Sequence, residues 1–390
     1  MKRLVLITGH FPQQKRRTSM LWVTDHLQAQ GWHVTYITVG YSWLSWLKRD
    51  KRLGALGYKP KQGTQTLSAS LTAIYGLSPY HPFKSKNQAL NELSEPLTAL
   101  FTHYWGPRLR APLANADIAI CESGAPVLLA PLIKRHAPNA TRIYRVSDDI
   151  RLLNAPDILL CAEMQHNNFH RISTGSPLIA ERFASHPNVT IDPMGVPHAQ
   201  IQVSTDDPYT RTPNAKIAIC AGSTLLDIGA ITRTAQAKPN WQIHVIGRLK
   251  SMPPALPNVT WHGEQPFAKT LAYIQHADIG LAPFQDVPGV EYQITNSNRI
   301  LLYRFYGLPI LVPGRLCTSN IPSLISDSAP DGLARCESYG RHPESIPDWS
   351  ELATALIQNG VTDPPDVTST VPATAENPLV NTAPPLASIE

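Results

Sequence analysis

Cysteine is scarce and poorly spaced in this chain. There are five in 390 residues (Cys121, Cys161, Cys220, Cys317 and Cys336), an odd number without a CxxC pair. A disulfide framework or a zinc site needs paired or closely spaced cysteines, so neither is indicated, and a reducing compartment is the simplest reading. Fourteen histidines form no HExxH and no HxH, so they offer no metal signature either. No apolar run approaches the roughly 20 residues needed to span a bilayer. The opening MKRLVLITGHF has an apolar stretch of about five residues, against roughly 7 to 15 for a signal-peptide core, and reads as a first buried strand. A soluble or peripherally bound protein is expected.

Acidic residues are also missing where basic ones collect. Residues 1–110 hold 15 Lys or Arg and 4 Asp or Glu, a net of +11, so the remaining 280 residues carry −6 against a whole-chain +5. Within this cationic third, QQKRRTSMLW and YSWLSWLKRDKR set tryptophans among basic clusters, as segments facing anionic lipid headgroups do. Arg16, Arg17, Trp43, Trp46, Lys48 and Arg49 are the candidates for an acceptor or membrane surface. Solvated basic loops beside ordinary core tryptophans would read the same way. No RRM, OB or helix-turn-helix signature supports a nucleic-acid partner.

What the chain does contain is a repeated strand and helix alternation. From Gln242 to Val312, QIHVIGRL, NVTWHGEQPFAKTLAYIQHADIGLAPF and NSNRILLYRFYGLPILVP alternate strand-like and helix-like segments, the pattern of an open parallel sheet. Ligands of such sheets bind beyond the carboxyl ends of the strands. The first half reads similarly. Strands are expected at Leu4–Thr8, Val34–Val39, Ile118–Cys121, Thr141–Arg145, Ile158–Cys161, Arg171–Ser173 and Val189–Ile191, with a less regular region before about Pro112. The segment 201–214, with STDDPYTRTPN, has the composition of a linker. Residues 359–390 are rich in Pro and Thr, with too little apolar periodicity to offset the entropy of ordering them, and are expected to be disordered. An α/β protein follows, with domains at 1–200 and 215–358.

The residues then carry a resemblance. HPF at 81–83, CESG at 121–124, YRVSDD at 144–149, AGSTLLD at 221–227, HVIG at 244–247, YIQHADIGLAPF at 273–284 and YQITNSNRILLYRFYGLP at 292–309 occur in the order and spacing of one family. Together with YSWLSWLK, they cover the chain to about Gln358. The chain resembles the GumK-like, membrane-associated glucuronosyltransferases of glycosyltransferase family 70. That resemblance implies a GT-B fold, two Rossmann-like domains facing across a cleft. It also implies inverting, metal-independent transfer of glucuronic acid from UDP-glucuronate to a polyprenyl-diphosphate-linked oligosaccharide, in exopolysaccharide synthesis at the cytoplasmic face of the inner membrane. No cofactor is expected, the UDP-sugar being a substrate. The absence of any Asp-x-Asp, which metal-dependent GT-A enzymes need, is independently compatible with this.

An inverting displacement needs a base for the acceptor hydroxyl and a cradle for the departing diphosphate. Asp148 occupies the family's catalytic aspartate position in the YR-x-SD signature, although an Asp after a strand is also a common helix cap. Its neighbour Asp149 replaces the family's glycine, and two adjacent carboxylates would raise the pKa of one of them by like-charge repulsion. The anion cradle is expected at a helix N-terminus opening near Asn296–Arg299, through Asn296, Ser297, Asn298 and Arg299, the last standing where the family has lysine. Ser223 and Glu264 match family positions near the uridine, with Thr224 and Gln265 beside them, and Tyr292 matches a family tyrosine. Thr224 and Asn298 replace family methionines, and Phe284 replaces a tyrosine, so the donor sugar is the point most exposed to change. A UDP-sugar epimerase-type GT-B enzyme, a transferase of another UDP-sugar and a non-catalytic assembly partner remain the alternatives.

Overall fold

The computed structural model describes residues 1–358 except 15, 16, 60, 86, 87, 250–252 and 254; the tail at 359–390 lies outside the described residues. Eight strands form the first sheet: β1 (Arg3–Thr8), β2 (His33–Thr38), β3 (Gly63–Ser68), β4 (Leu71–Tyr75), β5 (Ile118–Glu122), β6 (Thr141–Val146), β7 (Arg171–Thr174) and β8 (Val189–Ile191). Their order is β3-β4-β2-β1-β5-β6-β7-β8. All neighbours are parallel except the β3–β4 hairpin at one edge. The second sheet holds β9 (Ile217–Ala221), β10 (Gln242–Ile246), β11 (Val259–Gly263), β12 (Ile279–Leu281), β13 (Ile310–Val312) and β14 (Leu324–Ser326), in the order β11-β10-β9-β12-β13-β14. This is the doubly wound pattern, and the strand order reverses between β1 and β5 in one sheet and between β9 and β12 in the other.

Helices cover both faces. In chain order they are α1 (Ser19–Ala29), α2 (Trp43–Leu47), α3 (Gln88–Ala114), α4 (Ala130–His136), α5 (Asp157–Met164), α6 (Pro177–Glu181), α7 (His198–Ile201), α8 (Ile228–Ala237), α9 (Phe267–His276), α10 (Gln293–Asn296), α11 (Asn298–Phe305), α12 (Gly332–Ser338) and α13 (Trp349–Gln358). Because they shield the sheets from water, central strands are buried: β5 along its whole length, and β1 everywhere but its first residue.

Two sequence expectations fail here. The irregular region before Pro112 contains the β3–β4 hairpin and the 27-residue helix α3. Pro96, Pro107 and Pro112 disguise that helix. Prolines remove helix hydrogen bonds, yet Phe101, Trp105, Leu109 and Leu113 recur every four residues and are buried, and that stripe holds the helix on the sheet. The segment Ile158–Cys161, expected as a strand, lies in α5. Its buried residues Leu159 and Glu163 are four apart, a helical spacing that a short apolar run does not reveal.

The chain crosses between the two sheets twice. After α7 it runs along α9, where Tyr209 donates its hydroxyl to Tyr273 O at 2.6 Å and Thr205 N–H bonds Gln275 Oε1 at 3.1 Å. It returns near the end of the described chain: Val196 N–H bonds Pro347 O at 2.8 Å, and α13 then packs against α1 of the first half. Trp349, Leu352, Ala353 and Leu356 bury themselves in the same cluster as Met20 and Leu27, and Arg171 on β7 donates to Ala355 O at 3.0 Å. Burying a tryptophan removes about 150–250 Å² from water, a gross gain of roughly 4–6 kcal/mol that anchors the helix to the opposite sheet.

Candidate active site

The carboxyl ends of β5, β6 and β7 carry a polar assembly where an apolar core would otherwise close. Glu122, at the end of β5, is 4% exposed. One of its oxygens accepts the Ser147 hydroxyl at 2.9 Å and the other accepts the hydroxyl of Thr8, at the end of β1. Arg145 on β6 is fully buried and donates to Ser173 Oγ at 2.8 Å and Asp192 O at 3.1 Å. Burial pulls its guanidinium down to about 10, against the opposing charges of Asp192 and Glu122. These bonds fix the turn that leaves β6, Ser147–Asp149.

The two adjacent aspartates of that turn have different surroundings. Asp149 faces inward, 2% exposed, and accepts from Arg151 Nε at 3.0 Å and Nη2 at 2.6 Å and from Arg182 Nη1 at 3.1 Å. Burial raises its pKa, but the Arg151 bonds and the Arg182 charge outweigh it and hold the carboxyl below its ordinary value. The expected like-charge elevation is therefore not what governs Asp149. The raised carboxyl is Glu163, on α5, which burial pushes up despite Arg182. Asp148 is half-buried and turns toward the second sheet, where Tyr292 donates its hydroxyl to Oδ1 at 3.3 Å. Asn296 Nδ2 donates to Ser147 O at 3.0 Å.

Tyr292 and Asn296, two of the donor-side candidates, thus reach the Asp148 turn. The expected single helix start is also divided: α10 ends at Asn296, Ser297 is extended, and α11 opens at Asn298. Ser297 makes no side-chain cap bond and Asn298 is exposed. Arg299 points back under the end of β9, 5% exposed. It lies 4.6 Å over the Phe284 ring and donates to Thr224 O at 3.4 Å. Gly222 has φ +119, a conformation other residues rarely adopt, and a Cβ there would sit 3.4 Å from Arg299 Nη2. Among the described residues no carboxylate pairs with Arg299, and its buried Nε has no partner. Ser223 abuts Gly247 at the end of β10. Glu264 pairs with Arg248 at 2.8 Å and Gln265 donates to His262 O at 2.7 Å, both just beyond β11.

The basic, tryptophan-bearing candidates separate. Arg16 lies outside the described residues. Arg17, just before α1, stacks 4.3 Å over Trp22 and pairs with Asp25 of that helix. On and just after α2, Trp43 is 48% exposed and Leu47 70% exposed, with Lys48 and Arg49 also exposed. Trp46 is half-buried, edge-on to Trp43 at 5.7 Å, and donates to Tyr58 O at 3.1 Å. Sequence reasoning missed Leu47, Tyr58 and Glu122; the signal for Glu122 was its place in CESG, at the end of a fully apolar strand.

Two doubly wound sheets, joined by a linker and a returning C-terminal helix, with a carboxylate turn on one sheet and a buried guanidinium on the other, make this a GT-B architecture. Solved structures agree on the fold: the apo structure of OtsA superposes with a TM-score of 0.62 at 10% identity, over 93% of this chain and 100% of that one. The N-terminal domain of Candida albicans trehalose-6-phosphate phosphatase superposes with 0.54 at 12% identity, over 92% and 93%. Residues 6–174 match the family described as glucuronosyltransferase GumK, N-terminal domain. Over 320 residues the chain is 27% identical to the UDP-glucuronate:glycolipid 2-beta-glucuronosyltransferase of Xanthomonas campestris pv. campestris, spanning 79% of this chain and 76% of that protein. The chain is therefore similar to GumK, within residues 6–174 to that family's N-terminal domain and over most of its length to this transferase.

Asp149 yields a test of the turn's support. A carboxyl held below its ordinary 3.8 stabilises the fold fully at neutral pH, and that contribution is lost as the pH falls through the folded-state value. Asp149→Asn, which strips Arg151 and Arg182 of a buried partner, is expected to lower stability by about 3 kcal/mol at neutral pH. The gap to wild type should narrow as the pH falls below 3.8 and through the folded-state value. Urea denaturation across that range measures both.

Proposed function

We propose that the protein transfers glucuronic acid from UDP-glucuronate to a hydroxyl of a polyprenyl-diphosphate-linked oligosaccharide in exopolysaccharide synthesis, with inversion and without a metal ion. What supports this most directly is the division of chemistry between the halves. Asp148 presents a carboxylate at the strand ends of the first sheet, and Arg299 presents a buried guanidinium with no carboxylate partner among the described residues at those of the second. A site that keeps an arginine buried and unneutralised suits an anionic ligand, which supplies the missing charge on binding. The GumK-like sequence supplies the identity of the sugar.

In the proposed step Asp148 takes the proton of the acceptor hydroxyl as its oxygen attacks the anomeric carbon of the donor. The bond from that carbon to the diphosphate breaks on the opposite face, and UDP leaves with the electron pair. Arg299 meets the charge gathering on the leaving group, assisted by the first-turn amides of α11, which Ser297 does not cap through its side chain. Phe284 keeps the guanidinium flat against its ring and at the end of β9. Among the described residues no three His, Cys, Asp or Glu side chains converge as a metal site.

Acceptor recognition is assigned to the first half, with the exposed Trp43 and Leu47, flanked by Lys48 and Arg49, lying against an anionic membrane surface. No helix among the described residues is long and apolar enough to cross a membrane. The attachment proposed is peripheral, on the cytoplasmic face of the inner membrane.

Three measurements test these assignments. With membrane extract as acceptor, label should be incorporated from UDP-glucuronate but not from UDP-glucose, UDP-GlcNAc or GDP-mannose, and transfer only from a neutral or GDP-linked sugar would sink the donor assignment. In the same assay Asp148→Asn is expected to lose about 10²- to 10⁴-fold in turnover with UDP affinity unchanged. Arg299→Met is expected to weaken UDP binding by calorimetry about 10- to 100-fold, the loss of one charge-assisted contact. Finally, the protein should sediment with vesicles containing anionic phospholipid at low salt and be released at high salt. Trp43→Ser with Leu47→Ser should reduce sedimentation without altering UDP binding.

A further inference from the structure

Tyr292 belongs to the second half by sequence, in the short 3₁₀ turn Val290–Tyr292 that precedes α10, yet its ring is 1% exposed and packs in the core of the first half with Ile150, Ile179 and Val146. From there its hydroxyl donates to Asp148 Oδ1 at 3.3 Å. Burial first, and then the charge of Asp148 and the bond to it, push the phenol well above its ordinary pKa, so it stays a donor at any working pH. Four residues on, Asn296 donates to Ser147 O at 3.0 Å, and Gly175 leaves it room, since a Cβ there would fall 2.9 Å from Asn296 Oδ1. One segment of the donor half therefore grips the turn at two consecutive residues, one through its backbone and one through its carboxylate.

We infer that Tyr292 is a positioning residue for Asp148, a hydroxyl delivered by the donor half that orients the base and favours its ionised form only when the two halves are together. This rests on the reading of Asp148 as the base. A hydrogen bond donated to a carboxylate stabilises the anion and fixes the direction of the accepting oxygen. Without it the carboxylate turns more freely and protonates at higher pH. Among the described residues the other charged groups around the turn include Glu122 on β5, Arg145 on β6 with Asp192 and Arg171 beyond it, Asp149 with Arg151 and Arg182, Glu163 on α5, and, beside Tyr292 itself, Glu291 paired with Arg315. All of them remain when only the phenol oxygen is removed, so a difference between the two proteins isolates that oxygen.

The test is Tyr292→Phe in the full chain, which keeps the buried ring, assayed for kcat against pH with UDP-glucuronate and membrane acceptor. The expected result is a kcat about tenfold lower, a KM for UDP-glucuronate within about twofold of wild type, and an acidic limb displaced upward by about half to one pH unit. A 3-fluorotyrosine at position 292, a stronger donor of the same shape, should move the limb the other way, and it serves if the phenylalanine variant does not fold. A lower kcat with an unmoved limb would reduce Tyr292 to packing and overturn the inference. So would a raised KM and weakened UDP binding with an unmoved limb, which would make Tyr292 a donor contact. Asp148→Asn measured alongside separates the two readings. If it retains turnover, the assignment of the base fails and this inference falls with it; if it is inactive and the Tyr292→Phe limb does not move, the base stands and only the inference fails.

Discussion

The grip of Tyr292 and Asn296 on the Ser147–Asp148 turn is the contact on which the proposed chemistry depends. Neither half holds a complete site. The first supplies a carboxylate on a turn braced from beneath by Glu122, and the second supplies a buried guanidinium and the hydroxyl that steadies that carboxylate. A base shared in this way is finished only when the sheets meet.

The paired aspartates show how environment divides identical side chains. Asp149 is enclosed by Arg151 and Arg182 and serves to hold the turn, while Asp148 is half-buried and accepts the Tyr292 hydroxyl. An arginine pair would hold a base ionised but unwilling to accept a proton; a phenol orients it at a smaller electrostatic penalty. The second carboxylate of the pair thus holds the turn beside the proposed base.

Much of this was legible in the sequence, because strands shielded on both faces by helices are largely apolar, as β1, β5, β9 and β12 are. The helix α3 was not, since Pro96, Pro107 and Pro112 interrupt the local signal while the stripe from Phe101 to Leu113 that decides the matter is a tertiary preference. At the site, Asp148 and Arg299 could be picked out by residue type and by resemblance. The regrouping of Tyr292 and Asn296 could not, for it depends on how two separately folded sheets meet. Glu122 escaped for a related reason: a carboxylate at the end of an apolar strand gains meaning only from the hydroxyls of Thr8 and Ser147 that converge on it from neighbouring strands.

The return of α13 to α1 gives the molecule a mechanical property. Among the described residues the chain crosses between the halves twice, once along α9 and once at Val196 and Pro347, and the Tyr292 and Asn296 contacts join them as well. A body held at two points can turn about the line that joins them but has little freedom to slide or twist away from it.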